Sequence, residues 1–330
     1  MGLPVLKTVA FFWPSIPRRK RQRIYSPCLF CLKMSERSGF PDASAIRDMF
    51  TEVCQELDIQ PSQEDIEDLV IYEMTDGTRT SIEETGAEAY YNGGLYCLRF
   101  MHFLKSLGAR HLYLNVIHER HKDRVNYQEI YEGFTRLVDR YRDFAMEHSD
   151  IKWTFVGDFR ESIAPADAAQ QPDIRGALDE FERLTRDRED ALSVYFMINY
   201  STQWLTDEGW EQFKELPNAN VILRHCKGYV NGDMWLPTKL DNNTFMYAQN
   251  GSVSKNWSDR QLVYLIAIAM RSMLLNRGTH YSKKYSGNEQ DHIRREREEK
   301  LSMVHRRLGE AEKPKRAIIF SPIGPEIYEF

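Results

Sequence analysis

The apolar run Leu69-Val70-Ile71-Tyr72 leads through Glu73-Met74-Thr75 into Asp76-Gly77-Thr78-Arg79, residue types that suit an anion and a divalent cation held at one corner. A glycine in a strand-to-helix turn lets backbone N–H groups point at an anion, and a neighbouring arginine adds charge-assisted hydrogen bonds to phosphate oxygens. A carboxylate beside them is a hard oxygen ligand for magnesium, which offsets the remaining charge of a diphosphate. The same four residues also suit a plain β-turn with a solvated arginine, so the string alone decides nothing. Other polar groups follow at the ends of later apolar runs: His118-Glu119-Arg120-His121 with Arg124, then Gly157-Asp158, Asn199-Tyr200-Ser201 and Arg224. His118 to His121 is not the His-Glu-x-x-His zinc pattern, because the second histidine comes one residue early and the segment follows a strand. These groups are expected to bind phosphate or to act as acid and base. The acidic string Glu64-Asp65-Ile66-Glu67-Asp68 precedes a strand and is expected to be solvated charge.

Those groups need a scaffold that brings strand ends together. Strands are expected at 69–72, 111–117, 151–156, 192–199, 220–224 and 244–248. Helices are expected at 44–58, from Gly93-Gly94 through Leu107 to the stop at Gly108, at 126–147 and at 173–187. Such alternation predicts an α/β fold, a mostly parallel central sheet flanked by helices, with its active site outside the carboxyl ends of the strands. Ser258 and Gln261 form a capping box that opens an almost wholly apolar helix from Asp259 to Leu275, whose buried side suits either the core or a subunit interface. Residues 287–311 are charged and predict an exposed helix, and Arg316 to Phe320 returns as a strand or docks on a partner.

The organisation expected is a disordered or non-native extension over 1–40, a catalytic domain over 41–280 and a charged C-terminal helix and tail over 281–330, with Met34 as the natural start. The 330 residues, 42% hydrophobic and 28% charged, have a globular composition, and 17 Tyr, 17 Phe and 6 Trp provide bulky material for a core. A net charge of −5 argues against nucleic acid as the partner. The basic run Arg18 to Arg23 is expected to be a solvated arm, with a peripheral membrane contact at most. Five cysteines form no even disulfide framework, and Cys28 and Cys31 lack a second pair for zinc, so a reducing cytoplasm is expected. No apolar stretch reaches the ~18 residues of a membrane span.

Taken in chain order, Met74-Thr75-Asp76-Gly77-Thr78-Arg79, a helix, a strand ending in a polar cluster, a long helix, Gly157-Asp158, a strand ending Asn199-Tyr200, and Arg224 resemble the cis-prenyltransferase family. The likeness runs from roughly Val70 to Trp257, and the Asp-Gly-Thr-Arg string is similar to that of tuberculosinol synthase, a divergent relative of the same fold. The resemblance implies Asp76 as catalytic carboxylate and magnesium ligand, Gly77 and Thr78 as anion-loop donors and Arg79 as phosphate ligand. It places Asn199 at the same mouth and Arg224 on a second diphosphate; His118 and Arg124, in the polar cluster after the second strand, are expected as further substrate contacts from their place at the sheet's mouth. It implies a prenyl diphosphate substrate and Mg2+, and a homodimer is expected. The family's Arg-x-x-Gly-His segment is replaced by Ala89-Tyr90-Tyr91-Asn92, its Asn-x-x-Arg-Pro by His121-Lys122-Asp123-Arg124, and its late glutamate by Gln249. These losses fall mainly on the second substrate's ligands. The expected reaction is therefore ionisation of one allylic prenyl diphosphate with transfer or quenching of the cation, Tyr90 and Tyr91 guiding or deprotonating it. The alternatives are chain elongation with isopentenyl diphosphate and a non-catalytic partner subunit.

Overall fold

The computed structural model describes residues 40–75, 84–159, 163–165, 174–189, 191–224, 236, 239–248, 258–276, parts of 286–298, 316–321 and 324–329, all within the unit Phe40–Phe330. The elements, in order, are α1 (Ala43–Glu56), α2 (Gln63–Glu67), β1 (Val70–Met74), α3 (Gly86–Leu107), β2 (His111–His118), α4 (Tyr127–Glu147), β3 (Ile151–Gly157), α5 (Arg175–Thr185) and β4 (Leu192–Tyr200). A composite helix α6 follows, made of Thr202–Trp204, a π turn Leu205–Gly209 and Trp210–Phe213, then β5 (Ala219–Arg224), β6 (Leu240–Ala248) and α7 (Asp259–Asn276). Strands β7 (Arg316–Ser321) and β8 (Gly324–Glu329) form a separate antiparallel pair.

Strands β1 to β6 make one sheet in the order β3-β4-β2-β1-β5-β6, and every pairing is parallel. Alternation along the strands divides the core. Ile71, Leu112, Leu114, Val194, Phe196, Ile198, Val221 and Leu223 belong to a large cluster with α1, α3, α4, α5 and α7. Tyr72, Met74, Tyr113, Tyr195, Met197 and Ile222 belong to a smaller one with Trp204, Leu205 and Phe213 of α6. A period of two puts these sets on opposite faces, so the near-continuous apolar runs in the sequence reflect a sheet covered on both sides. The expected α/β architecture is the one found.

Local chemistry fixes the ends of the elements. Gly108, at φ 94°, closes α3 with its N–H donating to Leu104 O at 3.1 Å and Lys105 O at 3.0 Å. On α4, Ile130, Phe134, Leu137, Val138, Tyr141 and Phe144 are buried, as their helical spacing predicts. The acidic string was expected to be simply solvated, but it folds as α2. Ser62 and Asp65 cap each other reciprocally and Asp65 is buried, while Glu64 stays exposed. In α7, Leu262, Val263, Leu265, Ile266, Ala267, Ala269 and Met270 are buried in the large cluster, which gives that apolar helix to the core.

The edge strand β3 is protected by side chains. The N–H groups of Trp153, Phe155 and Gly157 donate to Thr185 Oγ1 (3.0 Å), Glu182 Oε2 (3.2 Å) and Gln212 Oε1 (3.0 Å). At the amino end of the sheet, Asn220 joins β5 to β1: its Oδ1 accepts from the Val70 N–H at 2.9 Å and its Nδ2 donates to Asp68 O at 2.7 Å. Each buried backbone group left without a partner costs roughly 1–3 kcal/mol, so Asn220→Ala, which strips two, should lose about 2–6 kcal/mol. A denaturant midpoint unchanged in this variant would show that water replaces the amide.

Histidine chemistry adds an acid sensitivity. His102 Nε2 donates to Pro41 O at 2.8 Å while its Nδ1 is buried with no hydrogen-bond partner, and Phe40 stacks on the ring. Burial lowers the pKa of His102 and of the neighbouring His148, at the end of α4, below the ordinary 6.5, with Lys105 acting in the same direction on both. The folded state thus binds fewer protons than the unfolded chain. Stability should be full above about pH 6.5 and fall as pH drops toward the lowered folded values. His102→Gln keeps an N–H for Pro41 O and removes the titration. Its denaturation midpoint should therefore depend less on pH between 7 and 5 than that of the wild type.

Candidate functional site at the carboxyl ends of the strands

Sheet order determines where a ligand crevice opens. From β1 the chain moves to β2 and then β3 on one side, whereas β5, the other neighbour of β1, leads outward to β6. In open parallel sheets ligands bind where the connections diverge, which here is outside the carboxyl ends of β1 and β5. Register places Met74 of β1 against Asn115 of β2 on one side and against Arg224 of β5 on the other. The Thr75 hydroxyl donates to Asn115 O, so the chain is pinned to β2 as it leaves the sheet. Thr75 is the last described residue at this corner, and Asp76, Gly77, Thr78 and Arg79 lie outside the described residues.

Arg224 is 1% exposed, a guanidinium drawn into the sheet's carboxyl end. Around it stand polar groups on the α6 face. The Tyr72 hydroxyl accepts from Asn115 Nδ2 at 3.0 Å, and the Tyr72 and Tyr113 rings meet edge to face at 6.4 Å. Burial, reinforced by Tyr200, pushes the Tyr72 phenol well above its usual range, against the opposing pull of Asn115 and Arg224. Burial does the same to Tyr200. Both phenols are therefore neutral, and the Arg224 guanidinium is withdrawn from water into surroundings where electrostatic attraction is stronger.

His118 ends β2 at 5% exposure, in register with Tyr200. Its Nδ1 accepts from the Arg120 N–H at 3.1 Å, and its own N–H donates to His121 Nδ1 at 3.2 Å. The two histidines cap the 3-10 turn Glu119–His121, a role that the sequence gives no means of separating from phosphate binding. Arg124, half-buried, follows that turn, and its carbonyl accepts from the Tyr127 N–H at 3.0 Å at the start of α4.

Tyr90 and Tyr91 lie in the seam between α3 and α4. The Tyr90 hydroxyl accepts from Asn126 Nδ2 at 2.8 Å, and the Arg136 guanidinium sits 4.3 Å from the Tyr91 ring centroid while pairing with Glu88 at 2.9 Å. The helices touch closely here because Gly133 has no side chain. A Cβ on it would lie 2.7 Å from Ala87 O and 2.7 Å from Tyr90 Cβ.

Asn199 closes β4 with φ 53°, a left-handed conformation that asparagine tolerates better than most residues. It is 3% exposed, its Nδ2 donates to Asp158 O at 2.9 Å, and its Oδ1 is buried with no hydrogen-bond partner. Gly157 on β3 is held nearby by Gln212, which bonds both its N–H and its carbonyl. A Cβ on Gly157 would come within 1.7 Å of Ile198 O, so only glycine lets β3 approach β4 at this end.

The sequence reading missed Glu73. It is fully buried in the middle of β1, and period-two alternation from Ile71 places it on the α3 side. Burial first, and then the Glu73 carboxylate, push the Cys97 thiol up to about 12. An acid inside the run Val70 to Met74 was the available signal, because a buried carboxylate is costly and gathers at functional sites. Among the described residues no group of three or more His, Cys, Asp or Glu side chains converges to hold a metal, and no helix is long and apolar enough to cross a membrane.

No protein-family model matches the chain, and no curated protein matches it in sequence. Among solved structures it is similar to lavandulyl diphosphate synthase from Lavandula x intermedia, in complex with dimethylallyl diphosphate. The identity is 15% and the TM-score 0.45, over 62% of this chain and 93% of that one. It is also similar to a probable undecaprenyl diphosphate synthase from Campylobacter jejuni, at 16% identity and a TM-score of 0.41, over 65% of this chain and 99% of that one.

Proposed function

We propose that the protein is a magnesium-dependent enzyme that ionises an allylic prenyl diphosphate and transfers or quenches the prenyl cation. The observation that carries this reading is the buried Arg224 guanidinium, in register with Met74 at the diverging crevice, two residues before Asp76. Arg224, Arg79 and the amides of Gly77 and Thr78 hold the diphosphate, with His118 and Arg124 at the rim. Positive groups at the leaving group act where charge develops as the C–O bond breaks. Apart from the buried Glu73, the sheet face toward α3 and α4 is apolar, which suits a prenyl tail, and from the α3–α4 seam Tyr90 and the face of Tyr91 away from Arg136 would meet the cation.

Magnesium prefers oxygen ligands and keeps several waters, commonly taking one or two carboxylates plus substrate phosphates. By residue type Asp76 fits that need and would supply a carboxylate oxygen, with the diphosphate and water as the other ligands. When bound, the ion neutralises the departing diphosphate.

The test is incubation of pure protein with geranyl, farnesyl and geranylgeranyl diphosphates and Mg2+, with and without isopentenyl diphosphate. Diphosphate release from a single substrate supports the reading. Product formed only when both substrates are present would replace it with chain elongation, and no release in any combination would leave a non-catalytic subunit.

A further inference from the structure

A buried amide oxygen without a donor is a defect that folded proteins rarely keep, since an unmet acceptor loses its hydration with nothing in exchange. Asn199 Oδ1 is such an atom, at the carboxyl end of β4 in the rim that also carries His118 and Arg224. The amide cannot be turned to hide it, because the atom facing Asp158 O at 2.9 Å must be the N–H donor. The φ of 53° holds this side chain at a backbone conformation that most residues avoid. An acceptor oxygen repels the oxygens of a diphosphate, so its partner must bring a hydrogen-bond donor. Position argues against a shared metal. Between β4 and β1 lies β2, and adjacent strands are about 4.8 Å apart, so Asn199 stands roughly 10 Å along the rim from the end of β1.

We infer that Asn199 Oδ1 binds the hydroxyl of the nucleophile that captures the prenyl cation, water or a small alcohol. The inference rests on the proposed function and names its acceptor class. The allylic C–O bond breaks with its electron pair on the diphosphate, and a lone pair of the held oxygen forms the new C–O bond. The proton that this oxygen sheds passes to the released diphosphate, so R–O–diphosphate and water give R–OH and protonated diphosphate. Asn199 takes no proton and acts by holding the acceptor.

The test compares the ratio of prenol to elimination hydrocarbon, a quantity internal to each reaction and independent of the amount of active enzyme. Asn199→Gly removes the oxygen while accepting the positive φ, and should lower the ratio about tenfold, one hydrogen bond's worth. Asn199→Asp, which retains an acceptor oxygen and tolerates the same φ, should preserve the ratio to within about threefold. A second measurement needs no variant. With methanol added to the wild type, a held acceptor gives methyl ether in a yield that departs from the methanol-to-water mole ratio. An unchanged ratio in Asn199→Gly, ether yield that follows the mole ratio, or a wild-type product that is hydrocarbon alone overturns the inference while diphosphate release continues. Absence of diphosphate release by the wild type overturns the proposed function itself.

Discussion

Asp76→Ala is expected to lower kcat for diphosphate release by about 10²–10³-fold, the usual consequence of removing one group that stabilises developing charge. The strand that delivers Asp76 is rigidly set: β1 is hydrogen-bonded on both sides, and Thr75 is tied to Asn115 O before the chain turns away. On the proposed reading Asp76 meets a metal-bound diphosphate, so its removal should act on the reaction more than on the fold. Released diphosphate should be measured across a Mg2+ titration, with the thermal midpoint alongside. Asp76→Asn, which keeps the shape and removes the negative charge of the carboxylate, should need more Mg2+ than the wild type for half-maximal rate. Retention of rate within about tenfold in both variants would remove Asp76 from the chemistry.

The fold was largely legible because parallel strands buried on both faces write themselves as apolar runs, as in His111 to Ile117 and Leu192 to Asn199. Helices were legible from the helical spacing on α4 and the stop at Gly108. What stayed hidden has physical causes. The start of β6 at Leu240 carries Asp241, Asn242 and Asn243, a polar string that reads as loop when its pairing to β5 is unknown. The helix α6 is broken by a π turn, so its apolar residues Trp204, Leu205 and Phe213 follow no single helical period. The acidic string around Asp65 was misjudged because reciprocal capping depends on Ser62, three residues upstream. At the site, residue types pointed to Arg224 and Asn199, but neither the burial of the guanidinium nor the unmet amide oxygen can be read from a string. Both follow from which strands lie side by side, and sheet order is a long-range property.

Arg224→Met should separate binding from chemistry. Methionine fills much of the arginine's volume in a site that is 1% exposed and removes the planar fork of donors. A hydrogen bond to a charged group is worth roughly 1.5–3 kcal/mol, so the KM for the prenyl diphosphate should rise about 10–100-fold. The rise should be smaller at high ionic strength only if Arg224 acts through long-range attraction. A buried guanidinium facing a bound anion is weakly screened, and the loss should persist in salt. The neutral phenols of Tyr72 and Tyr200 cannot take over, since burial holds both far above the pH of the assay. Because Arg224 meets the diphosphate before and during ionisation, kcat should fall less than KM rises, the reverse of the pattern expected for Asp76. An unchanged KM in Arg224→Met, with the thermal midpoint intact, would move the diphosphate away from the β1–β5 crevice and take the proposed function with it.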